Sequence, residues 1–160
     1  MKYTRNSDLN YYRDHPAATN CGSYALRLNE WYDPETYLES LEDGDVYEWI
    51  DLMAMNGYSD DEITEIYIDI LVEGMLQEFD GELELCDGRA PSTPNIELIA
   101  FNGFCTWNED YDIDADFHFK VLRDGRWSEK AGSEPVEFCD KDDWHNYTGI
   151  PVYMYHRIGA

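Results

Sequence analysis

Apolar residues recur three and four positions apart along the first half of the chain and alternate with polar ones along much of the second. Asn20 is placed to cap a helix from Cys21 to about Asn29, with Tyr24, Ala25 and Leu28 on one face. "YDPETYLESL" begins another helix, with Asp33 as cap and Pro34 in the first helical position. In "DVYEWIDLMAMNG", Val46, Trp49, Ile50 and Met53 keep helical spacing, and Gly57 ends the run. The strongest helical signal follows. Ser59 and Glu62 make a capping box, and Ile63, Ile66, Tyr67, Ile70, Leu71 and Met75 form one apolar stripe. Asp61, Glu65, Asp69 and Glu73 occupy the opposite face, so the stripe reads as core. Residues 1 to 19 carry neither period and read as an extended arm.

After Gly88 the period becomes two. "RAPSTP" is a loop, "NIELIAF" and "GFCTW" are candidate strands, and "DFHFKVLRDGRW" predicts a hairpin with Asp124-Gly125 at its tip. The closing "GIPVYMYHRIGA" alternates as well and is expected to complete the sheet. Helices first and antiparallel strands afterwards define an α+β fold, with N-terminal helices packed on a C-terminal sheet. No repeat or long linker divides the 160 residues, so one domain is expected.

The two-residue turn also sets a register. It pairs Arg123 with Arg126, Leu122 with Trp127, Lys120 with Glu129 and His118 with Ala131. Phe117, Phe119 and Val121 then face the core. Asp116, His118, Lys120, Trp127 and Glu129 take the opposite, polar face, with Glu129 diagonal to His118.

That placement gives Cys21 a chemical reading. A thiol attacks as the thiolate, and a helix N-terminus with a nearby imidazole lowers its pKa. The base needs a third polar group to orient it. Cys21, His118 and Glu129 supply candidates for nucleophile, base and orienting carboxylate. Backbone N–H groups at the helix start, beside Asn20 and Gly22, are placed to stabilise an oxyanion. His15, His145 and His156 read as surface residues. Cys86, Cys105 and Cys139 are scattered, with no C-x-x-C pair and no His at ligand spacing. No metal site is therefore expected, and nothing calls for a cofactor.

"NCGSYAL" and, about a hundred residues later, "DFHFKVLRDGRWSEKAG" resemble two blocks of the small papain-like thiol hydrolase domains of bacteria and their phages, distant relatives of the cell-wall endopeptidase type. The matching positions are Asn20, Cys21, Tyr24 and Ala25, then His118, Gly125, Trp127, Ser128, Lys130 and Gly132. The final "IPVYMYHRIG" is similar to that fold's last strand. The resemblance implies a papain-like fold, with Cys21 as nucleophile and His118 as general base in the hydrolysis of an amide or acyl bond. It covers the start and the last third of the chain, which leaves about 33–80 as an acidic helical insertion. The position of Glu129 is usually His in that family; a carboxylate can also orient an imidazole.

Charge opens a second reading. Eleven Lys and Arg against 35 Asp and Glu give a net charge of −24. Such a chain repels nucleic acid and anionic membranes and attracts basic proteins. Asp110, Asp112, Asp114 and Asp116 would fall on one face of an extended strand, roughly 6.6 Å apart. A row of that kind can imitate a phosphate backbone. The alternative function is thus a non-enzymatic, phage-type acidic inhibitor of a DNA- or RNA-handling host protein, such as a defence nuclease. Like charges protecting an edge strand would account for the same residues without any ligand. A calcium-binding EF-hand is excluded, because Ala115 stands where the loop needs Gly and Val121 where it needs Glu. No apolar run reaches the roughly 18 residues of a membrane span, and the first 20 residues are too polar for a signal peptide. Free thiols in the cytoplasm of a bacterial host cell are the corresponding expectation.

Overall fold

A computed structural model describes residues 6–108 and 112–158. Asp110 lies outside the described residues. Five helices come first: α1 (Asn10–Asp14), α2 (Cys21–Leu26), α3 (Glu35–Glu42), α4 (Val46–Met55) and α5 (Asp60–Glu78). Six strands follow: β1 (Leu83–Cys86), β2 (Ile96–Trp107), β3 (Ile113–Arg123), β4 (Arg126–Lys130), β5 (Val136–Phe138) and β6 (Val152–Arg157). They form one antiparallel sheet in the order β1-β6-β2-β3-β4-β5. The fold is α+β, with the helices N-terminal. No helix among the described residues is long and apolar enough to cross a membrane.

Local sequence explains the helix starts. Asn20 Oδ1 accepts from the Ser23 amide at 3.1 Å, and Ser23 Oγ accepts from the Asn20 amide at 2.7 Å. Ser59 and Glu62 make the same reciprocal pair at the head of α5. α2 stops at Leu26, short of the expected Asn29, because Arg27 turns into the left-handed region at φ 58°. Every residue of α2 is buried, so it is a core element rather than an amphipathic one. The N-terminal arm is folded, not extended. It forms α1 and a 3-10 turn at Pro16–Ala18, and the fully buried Tyr12 donates its hydroxyl to Leu28 O at 2.9 Å.

The stretch from residue 33 to 80 contributes to the same hydrophobic core as α2 and the sheet. On α5 the buried side chains are Ile63, Thr64, Tyr67, Ile68, Leu71, Val72 and Met75, while Ile66 and Ile70 are only half-buried. The stripe is rotated from the sequence expectation because Thr64 Oγ1 locks α5 to β2. It accepts from the Cys105 amide at 2.9 Å and donates to Cys105 O at 3.2 Å. β2 is one strand of 12 residues, not two. Gly103 in its middle marks a close approach: a Cβ there would sit 3.0 Å from both Tyr67 Cε1 and Asp116 O.

The hairpin keeps its expected register, Arg123 with Arg126 and Leu122 with Trp127, around Asp124 (φ 53°) and Gly125 (φ 75°). Phe119 and Val121 are buried as expected. The other face is not the open polar surface that alternation suggests. His118 and Lys120 are buried beneath the segment that follows β5. Lys120 Nζ donates to Asp140 O at 2.5 Å and Asp143 O at 2.6 Å, and lies 4.4 Å from the Trp144 ring centre. Asn102 Nδ2 donates to Tyr147 O at 2.9 Å and Gly149 O at 3.0 Å. Residues 139–150 therefore form a strap across the second face.

β6 lies inside the sheet between β1 and β2, not at its edge. His156 on β6 is buried beside Glu82, with 3.7 Å between Nε2 and Oε2, and is not a surface residue. A buried ion triad ties α2 to the sheet. Glu97 takes Arg27 at 2.8 and 3.0 Å and Arg123 at 2.7 and 2.8 Å, and Arg123 also donates to Tyr24 O and Ala25 O.

Candidate functional site

The cap of α2 delivers Cys21 to the floor of a cleft of about 460 Å³. Asn20, Cys21, Trp31, Asp33, Glu35, Asp116, His118, Ala131, Gly132 and Tyr147 line it. Two residues nearly a hundred positions apart in sequence, Cys21 and His118, thus share one cavity. The residue after His118 bears on the thiol as well: the Phe119 amide favours the ionised sulfur of Cys21.

His118 is held on several sides. Its Nε2 bonds Glu129 Oε1 at 2.9 Å, as the diagonal placement predicted. Tyr147 stacks on the imidazole at 5.2 Å and 17°, and Trp144 meets it edge-on at 6.2 Å. The hydrogen bond from His118 holds the Glu129 carboxyl below its ordinary pKa. An ionised carboxylate can only accept, so the Nε2 that faces Glu129 carries a proton, and the tautomer compatible with a base keeps its lone pair at Nδ1.

The thiol is not pre-ionised. Burial, with a smaller contribution from Asp116, pushes Cys21 up to about 12, against the lowering from the amides of Phe119, Gly22 and Cys21 itself. The helix start does not yield the expected thiolate: the neighbouring amides favour ionisation, but desolvation outweighs them. Burial likewise pushes Cys139 up to about 11 and raises Cys86 and Cys105. All four cysteines are free thiols.

Asn20 acts as a positioning residue. Its Oδ1 accepts from the Ser23 and Tyr32 amides, and its Nδ2 donates to Tyr32 O at 2.6 Å, so the side chain is committed to the cap and the following loop. Gly22 is required by packing. A Cβ there would meet Tyr32 Cδ2 at 2.9 Å and Phe119 Cε2 at 3.1 Å. Beneath the cleft, the buried Lys130 donates to Pro16 O and Thr19 O, and to Gly132 O at 2.5 Å. It ties the loop before Cys21 to the end of β4, and burial draws its pKa down.

Of the acidic residues, Asp112, Asp114 and Asp116 are exposed while Ile113 and Ala115 between them are half-buried. Only Asp116 reaches the cleft. Trp31, Asp33, Glu35 and Tyr147 are cleft residues that the sequence did not single out for chemistry. Asp33 carried a cap signal, and it does accept from the Glu35 amide at 2.9 Å. Tyr147 carried none. Among the described residues no group of three or more His, Cys, Asp or Glu side chains is arranged to hold a metal ion.

No family model, no curated protein and no solved structure matches this chain.

Proposed function

We propose that the protein is a papain-like cysteine hydrolase acting on an amide or acyl bond through Cys21, His118 and Glu129. The observation that carries this reading is the shared cleft, which Cys21 and His118 both line, together with the Glu129 bond to His118 Nε2 that leaves Nδ1 for the role of base. With the thiol held near 12, attack and deprotonation are coupled. Sγ forms a bond to the substrate carbonyl carbon as its proton passes to His118 Nδ1. The oxyanion is met by first-turn backbone N–H groups of α2, which carry the helix-start polarity. His118 then returns the proton to the leaving group, giving a thioester and free amine or alcohol. Water deprotonated by His118 releases the acid.

Peptidyl electrophiles at neutral pH test the reading, with intact-mass and peptide mapping as the readout. Cys21 should label ahead of the less buried Cys86 and Cys139. His118→Ala should slow Cys21 by about 10²-fold, the range of one general base, and leave Cys86 unchanged. Labelling ordered simply by exposure, with no effect of His118→Ala, rejects catalysis.

A second reading is favoured by the exposed row of Asp112, Asp114 and Asp116. It makes the protein an acidic ligand for a basic, nucleic-acid-binding protein. Retention on an immobilised protein of that class should then fall steeply with salt and be lost when the three are changed to Asn together. Retention indifferent to both would remove this reading.

A further inference from the structure

The walls of the cleft are unevenly charged. Asp33, Glu35 and Asp116 line it, and among the described residues no Lys or Arg does. Each carboxylate is held by a hydrogen bond with acceptor capacity left over. Asp116 takes the Phe117 amide at 2.8 Å and the Tyr147 hydroxyl at 3.2 Å, on different oxygens. Glu35 takes the Tyr67 hydroxyl at 2.6 Å on one oxygen, and Asp33 takes the Glu35 amide on one. A separate observation points to a ligand on the same wall. Trp31 is a large aromatic left 51% exposed, and it lines the cleft. An aromatic face beside oriented carboxylates suits one class of group, an ammonium or guanidinium. A carboxylate or phosphate would be repelled.

We propose that this wall is a specificity pocket for a cationic side chain, so that the substrate is a peptide carrying Lys or Arg next to the attacked carbonyl. The proposal rests on the cysteine hydrolase reading and adds to it the substrate class. It also gives the acidic wall a role at the sulfur. Asp116 disfavours ionisation of Cys21, and a bound cation would offset that charge at the moment the thiol loses its proton. Glu35, raised to about 7 by burial, would be drawn to its ionised form by the same cation.

Three peptidyl electrophiles that differ only in the residue beside the warhead (Lys, norleucine or Glu) provide the test, together with iodoacetamide as a small uncharged probe. The readout is the rate of Cys21 modification. The Lys probe should react about tenfold or more faster than the norleucine probe, and the Glu probe slowest. Asp116→Asn, an exposed substitution, and separately Glu35→Gln should each reduce the Lys-to-norleucine ratio towards one. Equal rates for all three peptides, or a ratio unchanged in both variants, overturn the pocket while leaving the cysteine hydrolase standing. No reaction of Cys21 with any peptide probe or with iodoacetamide overturns both.

Discussion

Glu97→Ala is expected to destabilise the protein by about 3–5 kcal/mol, the range for removing one partner from a buried ion cluster. Glu97 sits between the side chains of Arg27 and Arg123, and those of Glu97 and Arg123 are 7% and 4% exposed. Removing the carboxylate leaves the buried Arg123 guanidinium and the half-buried Arg27 guanidinium with only a neighbour of their own sign. It also loosens the junction of α2, β2 and β3, because Arg123 reaches the last carbonyls of α2 from this point. The pH dependence follows from the same group. Burial alone would raise the Glu97 carboxyl, but hydrogen bonds and attraction from the two arginines outweigh it and hold the group at about 2 against an ordinary 4.5. Its folded pKa lies below its unfolded one, so its stabilisation is complete above about pH 4.5 and is lost as pH falls towards 2. Urea unfolding of wild type and variant from pH 7 to 2 measures this directly. The gap between them should stay constant down to about pH 5 and narrow below it. A gap of less than ~1 kcal/mol at pH 7, or one that does not change in acid, would show that the triad does not hold the sheet to α2.

What could be read in advance follows the range of the forces involved. The hairpin at Asp124-Gly125 and its register were legible because a two-residue turn that needs two positive φ angles fixes pairing within a few residues. The caps at Asn20 and Ser59 were legible for the same reason: their bonds close over three residues. From the hairpin register the Glu129–His118 contact followed directly. Burial of the second face was not legible. The strap over it, residues 139–150, has neither period, and what pins it is the pairing of Lys120 and Asn102 with backbone carbonyls. Lysine on a strand reads as solvent-facing until the chain that covers it is known. The thiol was misjudged by the same route. The helix start that lowers its pKa is a local feature, whereas the burial that outweighs it comes from the packed tertiary structure. β1 was not legible for a different reason: four residues, with both Glu84 and Leu85 exposed, are too few for alternation to register.

Lys130 shows how such a buried cation bears on the site. Its ammonium gathers the carbonyls of Pro16, Thr19 and Gly132, and Thr19 is the residue before the α2 cap. Ala131 and Gly132, just after it, line the cleft. Lys130→Met keeps the length and apolar stem of the side chain but removes the three donors, leaving three carbonyls to find water in a closed space. The expected loss is about 2–4 kcal/mol, from breaking charge-assisted bonds in a buried setting. Lys130→Arg should fall between, because a planar fork cannot direct its donors at three carbonyls converging on one point. A second consequence separates anchoring from general stability. If Lys130 fixes the loop that presents Cys21, then Lys130→Met should slow peptidyl-probe labelling of Cys21 several-fold at a temperature where the variant is still folded by circular dichroism. Glu97→Ala, compared at equal residual stability, should slow it less, since its triad holds the C-terminal end of α2 and not the cap. Equal slowing in the two variants would mean that the cleft responds only to overall stability and that the Lys130 anchor has no particular hold on the thiol.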